Sequence, residues 1–273
     1  MKLLFSAFLV SCSAFAGAAT AHEFWIEPQD FTLAPGEDLV AAIKVGQEFR
    51  GTSYAYIPAN FRRFDLVTNG GDTPNPVEMQ LGDRPALEVP IAKPGLATIL
   101  HVTKDYKLTW DSWDKFDSFL RHKAADWVIE AHAERGFAQV EGVTEGYTRY
   151  GKSLVSVGDG AGEDRVWGLE VEIVALENPY TGDMSDGLDV QVFYDGEPRD
   201  GEQVEIFERD QLGDVSIQTV TTDQEGRATV PVTPGHAYLL DSVVLREPDA
   251  EMRAAMDVQW ESLWASLTFA IPE

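Results

Sequence analysis

Leu188-Asp189-Val190-Gln191-Val192-Phe193-Tyr194, closed by Asp195-Gly196-Glu197-Pro198, is the stretch that decides the fold. Leu188, Val190 and Val192 take every second position, the period of a strand with one buried face, and a turn pair follows directly. Strands of the same kind lie on both sides. Leu39 to Val45 follows the Pro35-Gly36 turn, Phe61 to Val67 precedes Asn69-Gly70-Gly71, and Leu87 to Ile91 and Ala97 to Thr103 are separated by Lys93-Pro94-Gly95. Further on, Gly168 to Leu176, Val204 to Glu208, Val215 to Thr221, Ala228 to Val232, Ala237 to Leu245 and Trp260 to Ile271 continue the series. Short strands punctuated by Gly, Pro, Asn and Asp predict an all-β protein of the sandwich type.

Four segments read differently. Asp114 to Arg135 carries Phe116, Phe119, Leu120, Ala124, Trp127, Val128 and Ala131 at helical spacing, with Asp114 as N-cap and Gly136 as the stop. A second, less regular helical piece is expected over Thr144 to Leu154, and a short helix over Ala250 to Met256. Asp159-Gly160-Ala161-Gly162-Glu163-Asp164 has the composition of a linker, and it lacks the ligand spacing of a calcium loop. The expected organisation is two sandwich domains, over residues 22–160 and 165–273, with a helical insertion at about 114–154 in the first. The stretch from Asp195-Gly196-Glu197-Pro198 to Pro234-Gly235-His236-Ala237-Tyr238 resembles transthyretin-like or immunoglobulin-like modules of exported proteins.

Residues 1–21 read as a cleavable export signal. Lys2 gives the positive start, Leu3 to Phe15 is apolar, and Ala19-Thr20-Ala21 is a small-residue cleavage site. The apolar run is too short to cross a bilayer. Leu9-Val10-Ser11-Cys12 is an alternative lipoprotein signal, but it lies very close to Met1, so the cut after Ala21 is preferred. The expected location is the periplasm, with no membrane insertion after cleavage. Cys12 is the sole cysteine, so the mature chain would hold neither disulfides nor thiolate metal sites. The formal net charge is −25 over 273 residues, and an acidic excess this large argues against nucleic acid as a partner.

Cleavage after Ala21 would make His22 the first residue. A terminal histidine offers an α-amine and an imidazole to one metal ion, and a second histidine can add a third nitrogen, a flat arrangement that favours copper(II) and then nickel(II). The amine must lose its proton to bind, so affinity should fall with pH. His101, within a strand, is the first choice for that second ligand. His132 on the expected helix, His236 at a strand start and the oxygen of Glu23 are the further candidates. His122 and His132 stand ten residues apart, about 15 Å along one helix, too far to share an ion. No G-x-S-x-G elbow, P-loop or G-x-G-x-x-G is present, and no catalytic role is expected.

Five motifs carry a wider resemblance. They are His22-Glu23-Phe24-Trp25-Ile26-Glu27-Pro28, Val45-Gly46-Gln47-Glu48-Phe49-Arg50-Gly51, Tyr147-Thr148-Arg149-Tyr150-Gly151-Lys152-Ser153-Leu154, Leu176-Glu177-Asn178-Pro179-Tyr180, and Trp260 to Phe269. In this order they resemble the domain-of-unknown-function 4198 family, many of whose members carry a label of cobalt or nickel uptake. The resemblance implies a periplasmic protein of immunoglobulin-like modules concerned with a divalent metal, and a membrane metal transporter as partner. Where relatives place a histidine in a V-H-M-R-like stretch, this chain has Val243-Val244-Leu245-Arg246. Metal uptake or homeostasis is the leading expectation. The alternatives are a non-catalytic structural or interaction module of an exported complex and a copper-dependent polysaccharide oxidase.

Overall fold

The computed structural model describes residues 22–273; the expected signal segment, its cut and Cys12 lie outside them. In chain order, β1 (Glu23–Pro28), β2 (Thr32–Leu33), β3 (Asp38–Gln47) and β4 (Arg50–Tyr54) come first. A 3-10 turn at Pro58–Asn60 leads to β5 (Phe61–Val67), β6 (Asn75–Pro76), β7 (Leu87–Pro90), β8 (Gly95–Thr103) and β9 (Tyr106–Thr109). Helices α1 (Trp113–His122) and α2 (Trp127–Glu134) precede the long β10 (Thr144–Val157). Then follow β11 (Val171–Ala175), β12 (Leu188–Tyr194), β13 (Glu197–Pro198), β14 (Gln203–Arg209), β15 (Val215–Thr221), β16 (Arg227–Val230) and β17 (Ala237–Arg246). Helix α3 (Ala250–Met256) and β18 (Trp260–Ala270) complete the fold. It is the all-β sandwich architecture that the strand spacing predicts.

One ten-stranded sheet runs through the middle, in the order β15-β14-β17-β18-β10-β8-β5-β6, with β2 and β9 also on β10. A smaller sheet of β1, β3, β4 and β7 covers part of one face, and a sheet of β11, β12, β13 and β16 covers the other. Alternation along β8 shows the layering. Leu96, Leu100 and Val102 join the core shared with β11 and β12, while Ala97 and Ile99 join the core shared with β1, β3 and β7. Every residue of β8 is buried, which is why its sequence is apolar almost without a break. Helices α1 and α2 lie on the C-terminal strands of the central sheet, where Phe116, Phe119 and Leu120 meet Val243, Trp260 and Trp264. They belong to the first half of the chain in sequence, yet they pack on β17 and β18.

The two halves meet in an unbroken ladder. β10 pairs in parallel with β18, from Glu145↔Trp260 to Ser153↔Thr268. The segment expected to be an open linker is irregular, yet it is fastened down. Asp164 is buried, 2.7 Å from Lys152 Nζ, and accepts from the Ala175 amide. Glu172 completes this buried ion cluster at 3.1 Å from the same ammonium.

Two helical expectations are corrected. Thr144 to Leu154 is strand, because Tyr147, Tyr150 and Leu154 mimic helical spacing on a strand buried on both faces. The helix expected over Asp114 to Arg135 is two helices. It starts one residue earlier, with Ser112 as cap accepting from the Lys115 amide at 3.3 Å. It breaks after His122, where Ala125 N–H bonds Leu120 O and Ala124 N–H bonds Arg121 O. This is the paired-bond ending usually built on glycine, here with Ala124 at φ +52°. Gly136 at φ +79° closes α2 as expected.

The β3–β4 hairpin explains one of the sequence motifs. Glu48 and Phe49 both have positive φ in its turn, and the Phe49 ring is buried edge-on against Trp25 at 5.6 Å. Gly51 lies over the same indole: a Cβ there would stand 2.7 Å from the Trp25 ring and 2.6 Å from the Val45 oxygen. Gly51→Ala is therefore expected to destabilise the protein by about 1–3 kcal/mol, from overpacking against a ring that cannot move. An unchanged midpoint in urea denaturation would contradict this account of the motif.

Candidate functional site

β1 separates two unusual environments, because its alternate side chains face opposite ways. It is held by pairing with β3, Glu23↔Gly46 to Pro28↔Ala41, and by the Thr268 hydroxyl donating to Ile26 O at 2.7 Å. His22 stands just before it. The His22 carbonyl accepts from Arg149 Nη2 at 3.1 Å, so the residue after the expected cleavage point is anchored to the central sheet.

On one face, Glu23 enters a buried charge cluster. Lys123 lies between Asp241, at 2.8 Å, and Glu205, and His122 Nε2 lies 2.8 Å from Glu205. Lys123, Glu205 and Asp241 are almost wholly excluded from water. Burial pushes the Lys123 pKa down, but Asp241 and Glu205 outweigh it and leave it raised. Burial pushes Glu23 up to about 7, helped by the negative Asp241, and its Oε2 has no hydrogen-bond partner. Burial likewise raises Asp241. At Glu205 burial acts upward, but the bonds from His122 and Lys123 hold its pKa down.

On the other face is a cavity of about 280 Å³. It opens where two strands part company. β8 pairs with β10 only from Val157↔Gly95 to Leu154↔Thr98, and β10 is next paired on that side at Tyr147↔Tyr106 of β9. Phe24, Phe61, His101, Tyr106, Tyr147 and Arg149 are among its lining residues. His101 is 2% exposed and is enclosed by the rings of Phe24, Phe61 and Phe64 at 5.1–5.2 Å. Neither of its ring nitrogens has a hydrogen-bond partner. Burial alone lowers its pKa from 6.5 to about 3, so it is a neutral imidazole at neutral pH.

The remaining sequence candidates go elsewhere. His132 is fully buried behind α2, where Nδ1 accepts from Trp260 Nε1 at 2.9 Å and Nε2 lies 3.1 Å from Ala138 O. Both of its nitrogens are engaged, Nδ1 joining α2 to β18 and Nε2 joining it to the loop that follows α2. His236 places Nδ1 2.8 Å from Glu208 Oε1, which also accepts from the Tyr238 hydroxyl. The structure thus brings His101 to the cavity beside β1 and Glu23 to the ion cluster on the opposite face, and leaves His132 and His236 in separate contacts. Among the described residues, no three His, Cys, Asp or Glu side chains are arranged to hold one metal ion. Sequence reasoning passes over Arg149, Lys123, Glu205 and Asp241. The last two do carry a signal, since each is an acid inside an apolar strand, Val204-Glu205-Ile206 and Leu240-Asp241-Ser242-Val243.

The family model for the domain of unknown function DUF4198 matches residues 19–245. The chain belongs to the DUF4198 family. That match spans β1, the hairpin over Trp25, Arg149 and most of the ion cluster. No curated protein matches the chain. Among solved structures, Escherichia coli alpha-2-macroglobulin activated by porcine elastase is 12% identical, over 92% of this chain and 20% of that one, with a TM-score of 0.23. The D0–D1 domain of intimin is 13% identical, over 90% of this DUF4198 chain and 97% of its own, with a TM-score of 0.22.

The orphaned imidazole makes a stability prediction. The unfolded chain protonates His101 near pH 6.5 and the folded chain only near 3, so below 6.5 the unfolded state binds the extra proton and is favoured. His101→Leu removes both that penalty and the unpaired nitrogens, which cost about 1–3 kcal/mol when buried. The variant is expected to be at least as stable as the native protein at pH 7, with an advantage that grows as pH falls from 6.5 towards 3. Denaturant titrations across that range check this; an advantage that shrinks on acidification would refute it.

Proposed function

We propose that this protein binds a divalent transition metal (copper, nickel or cobalt) in the periplasm, through the α-amine and imidazole of His22, for metal uptake or homeostasis. The observation that carries this reading is the anchoring of His22. Its carbonyl is held by Arg149 and the next residue is already in the β1 ladder, so a mature terminus at that point would present its two nitrogens from a fixed backbone. Preorganisation of this kind favours chelation over what a loose terminus achieves. His101 supports the reading as a third donor. By strand alternation His22 shares the side of β1 occupied by Phe24, whose ring meets His101, and the His101 imidazole is neutral and unpaired. A membrane metal transporter would be the natural recipient.

Copper(II) and nickel(II) titrations of mature protein beginning at His22 test the proposal. One extra residue before His22 is expected to weaken binding at least about tenfold, since it removes the amine from the chelate. Native binding should weaken as pH falls below about 8, where the amine takes up a proton. Equal affinity with and without the added residue would overturn the proposal.

A second reading, a non-catalytic interaction module of an exported complex, draws on β15. This outermost strand of the central sheet, Val215-Ser216-Ile217-Gln218-Thr219-Val220-Thr221, carries no charge and is largely exposed. Such an edge accepts an added strand from a partner. A polysaccharide oxidase would need a flat exposed aromatic surface around His22, and both Phe24 and Trp25 are buried.

A further inference from the structure

Among the described residues, cations that are buried or partly buried are paired with acids, with one exception. Lys123 is paired with Glu205 and Asp241, and Lys152 with Asp164 and Glu172. Arg199 is paired with Glu202, and Arg246 with Glu170 and Glu261. Arg149 makes no ion pair among the described residues. Its one side-chain hydrogen bond is to the neutral His22 carbonyl, its guanidinium lies 4.6 Å from the Tyr147 ring, and its Nε is buried with no partner. A guanidinium partly withdrawn from water, with its Nε fully shielded and no anion beside it, is costly. Arg149 also lines the cavity beside β1.

The rest of that cavity narrows the identity of the missing anion. Its walls are mainly apolar or aromatic: Phe24, Ile43, Val45 and Phe61, with the stacked pair of Tyr106 and Tyr147 at 5.5 Å. Such walls hold a flat apolar body by offset or edge contacts. His101 adds two unpaired nitrogens within this lining, a donor and an acceptor in the neutral ring. A volume of about 280 Å³ suits a small metabolite. The chain's net charge of −25 repels multiply charged anions, so a single charge with much apolar surface is favoured over phosphate.

We propose that this cavity binds a small organic monocarboxylate with a flat apolar body, its carboxylate received by Arg149 and its body held between the aromatic walls. Arg149 offers Nε–H and its remaining guanidinium hydrogens, the geometry that suits a carboxylate. The site borders the proposed metal chelate but does not depend on it.

Isothermal titration calorimetry of the full mature chain, run in excess EDTA, tests this with benzoate as the probe. Benzoate is expected to bind saturably at one site, and the neutral benzamide and the cationic benzylamine at least about tenfold more weakly. Arg149→Gln should lose benzoate affinity by at least about tenfold, while Arg149→Lys retains part of it. Because Arg149 also anchors His22, a second variant leaves it in place: Val45→Phe should fill the cavity and abolish binding. In the native protein, benzoate should shift the NMR signals of the His101 imidazole. A form with one extra residue before His22 should bind benzoate as the native form does, whatever happens to its copper affinity. The proposal is overturned if the native protein shows neither heat nor NMR shift, or if benzamide binds as well as benzoate. Undiminished binding by Arg149→Gln, displacement of benzoate by equimolar inorganic phosphate, or binding only when metal is restored would overturn it as well.

Discussion

The parallel ladder between β10 and β18 is the contact on which the other layers rest. It turns two sets of strands, each able to form only part of a sandwich, into one central sheet with both faces available for burial. β1 lies over these two strands, α1 and α2 cover the far end of β18, and the β11–β12 layer closes the opposite face. If that ladder opened, Trp260, Trp264, Leu267 and Phe269, all buried, would be exposed together. At roughly 1.5–3 kcal/mol for each large apolar side chain, such an opening competes with the whole stability of an ordinary domain.

A sheet buried on both faces has no solvent side on which to place charge. The buried lysines are therefore each held between two acids. Lys152 fastens the connection between the halves through Asp164 and Glu172, and Lys123 joins the end of α1 to β14 and β17 through Glu205 and Asp241. These clusters connect elements distant in sequence, and mispairing would leave a charge buried alone, so they select one arrangement of the layers. Arg149 belongs to the same sheet and escapes this pattern, with no acid paired to it among the described residues and its Nε unpartnered.

How much of this was legible in the sequence depends on the neighbours each residue has. The alternation of Leu188 to Tyr194 identifies β12, and Phe61 to Val67 matches β5 end to end, because each segment has a clear inner face. β10 is misread as helix because burial on both sides erases alternation and leaves Tyr147, Tyr150 and Leu154 at a helical interval. The break between α1 and α2 is hidden for a different reason: Ala124 adopts the left-handed conformation for which glycine is the usual signal. At the site, His101 stands out as a histidine in an apolar strand, but its cage of three phenylalanines is assembled from β1 and β5. Arg149 is visible only as one letter of a motif, since the absence of a counter-charge is a property of three-dimensional surroundings.

The long reach of the contacts around β1 has a consequence for biogenesis. Ile26 is held by Thr268, 242 residues away, and Thr144 meets Gln259 across 115 residues. A chain synthesised from its N-terminus releases β1 first and β18 last. Until β18 arrives, β1 lacks part of the surface on which it rests. The N-terminal strand of the described fold is thus settled last although it emerges first.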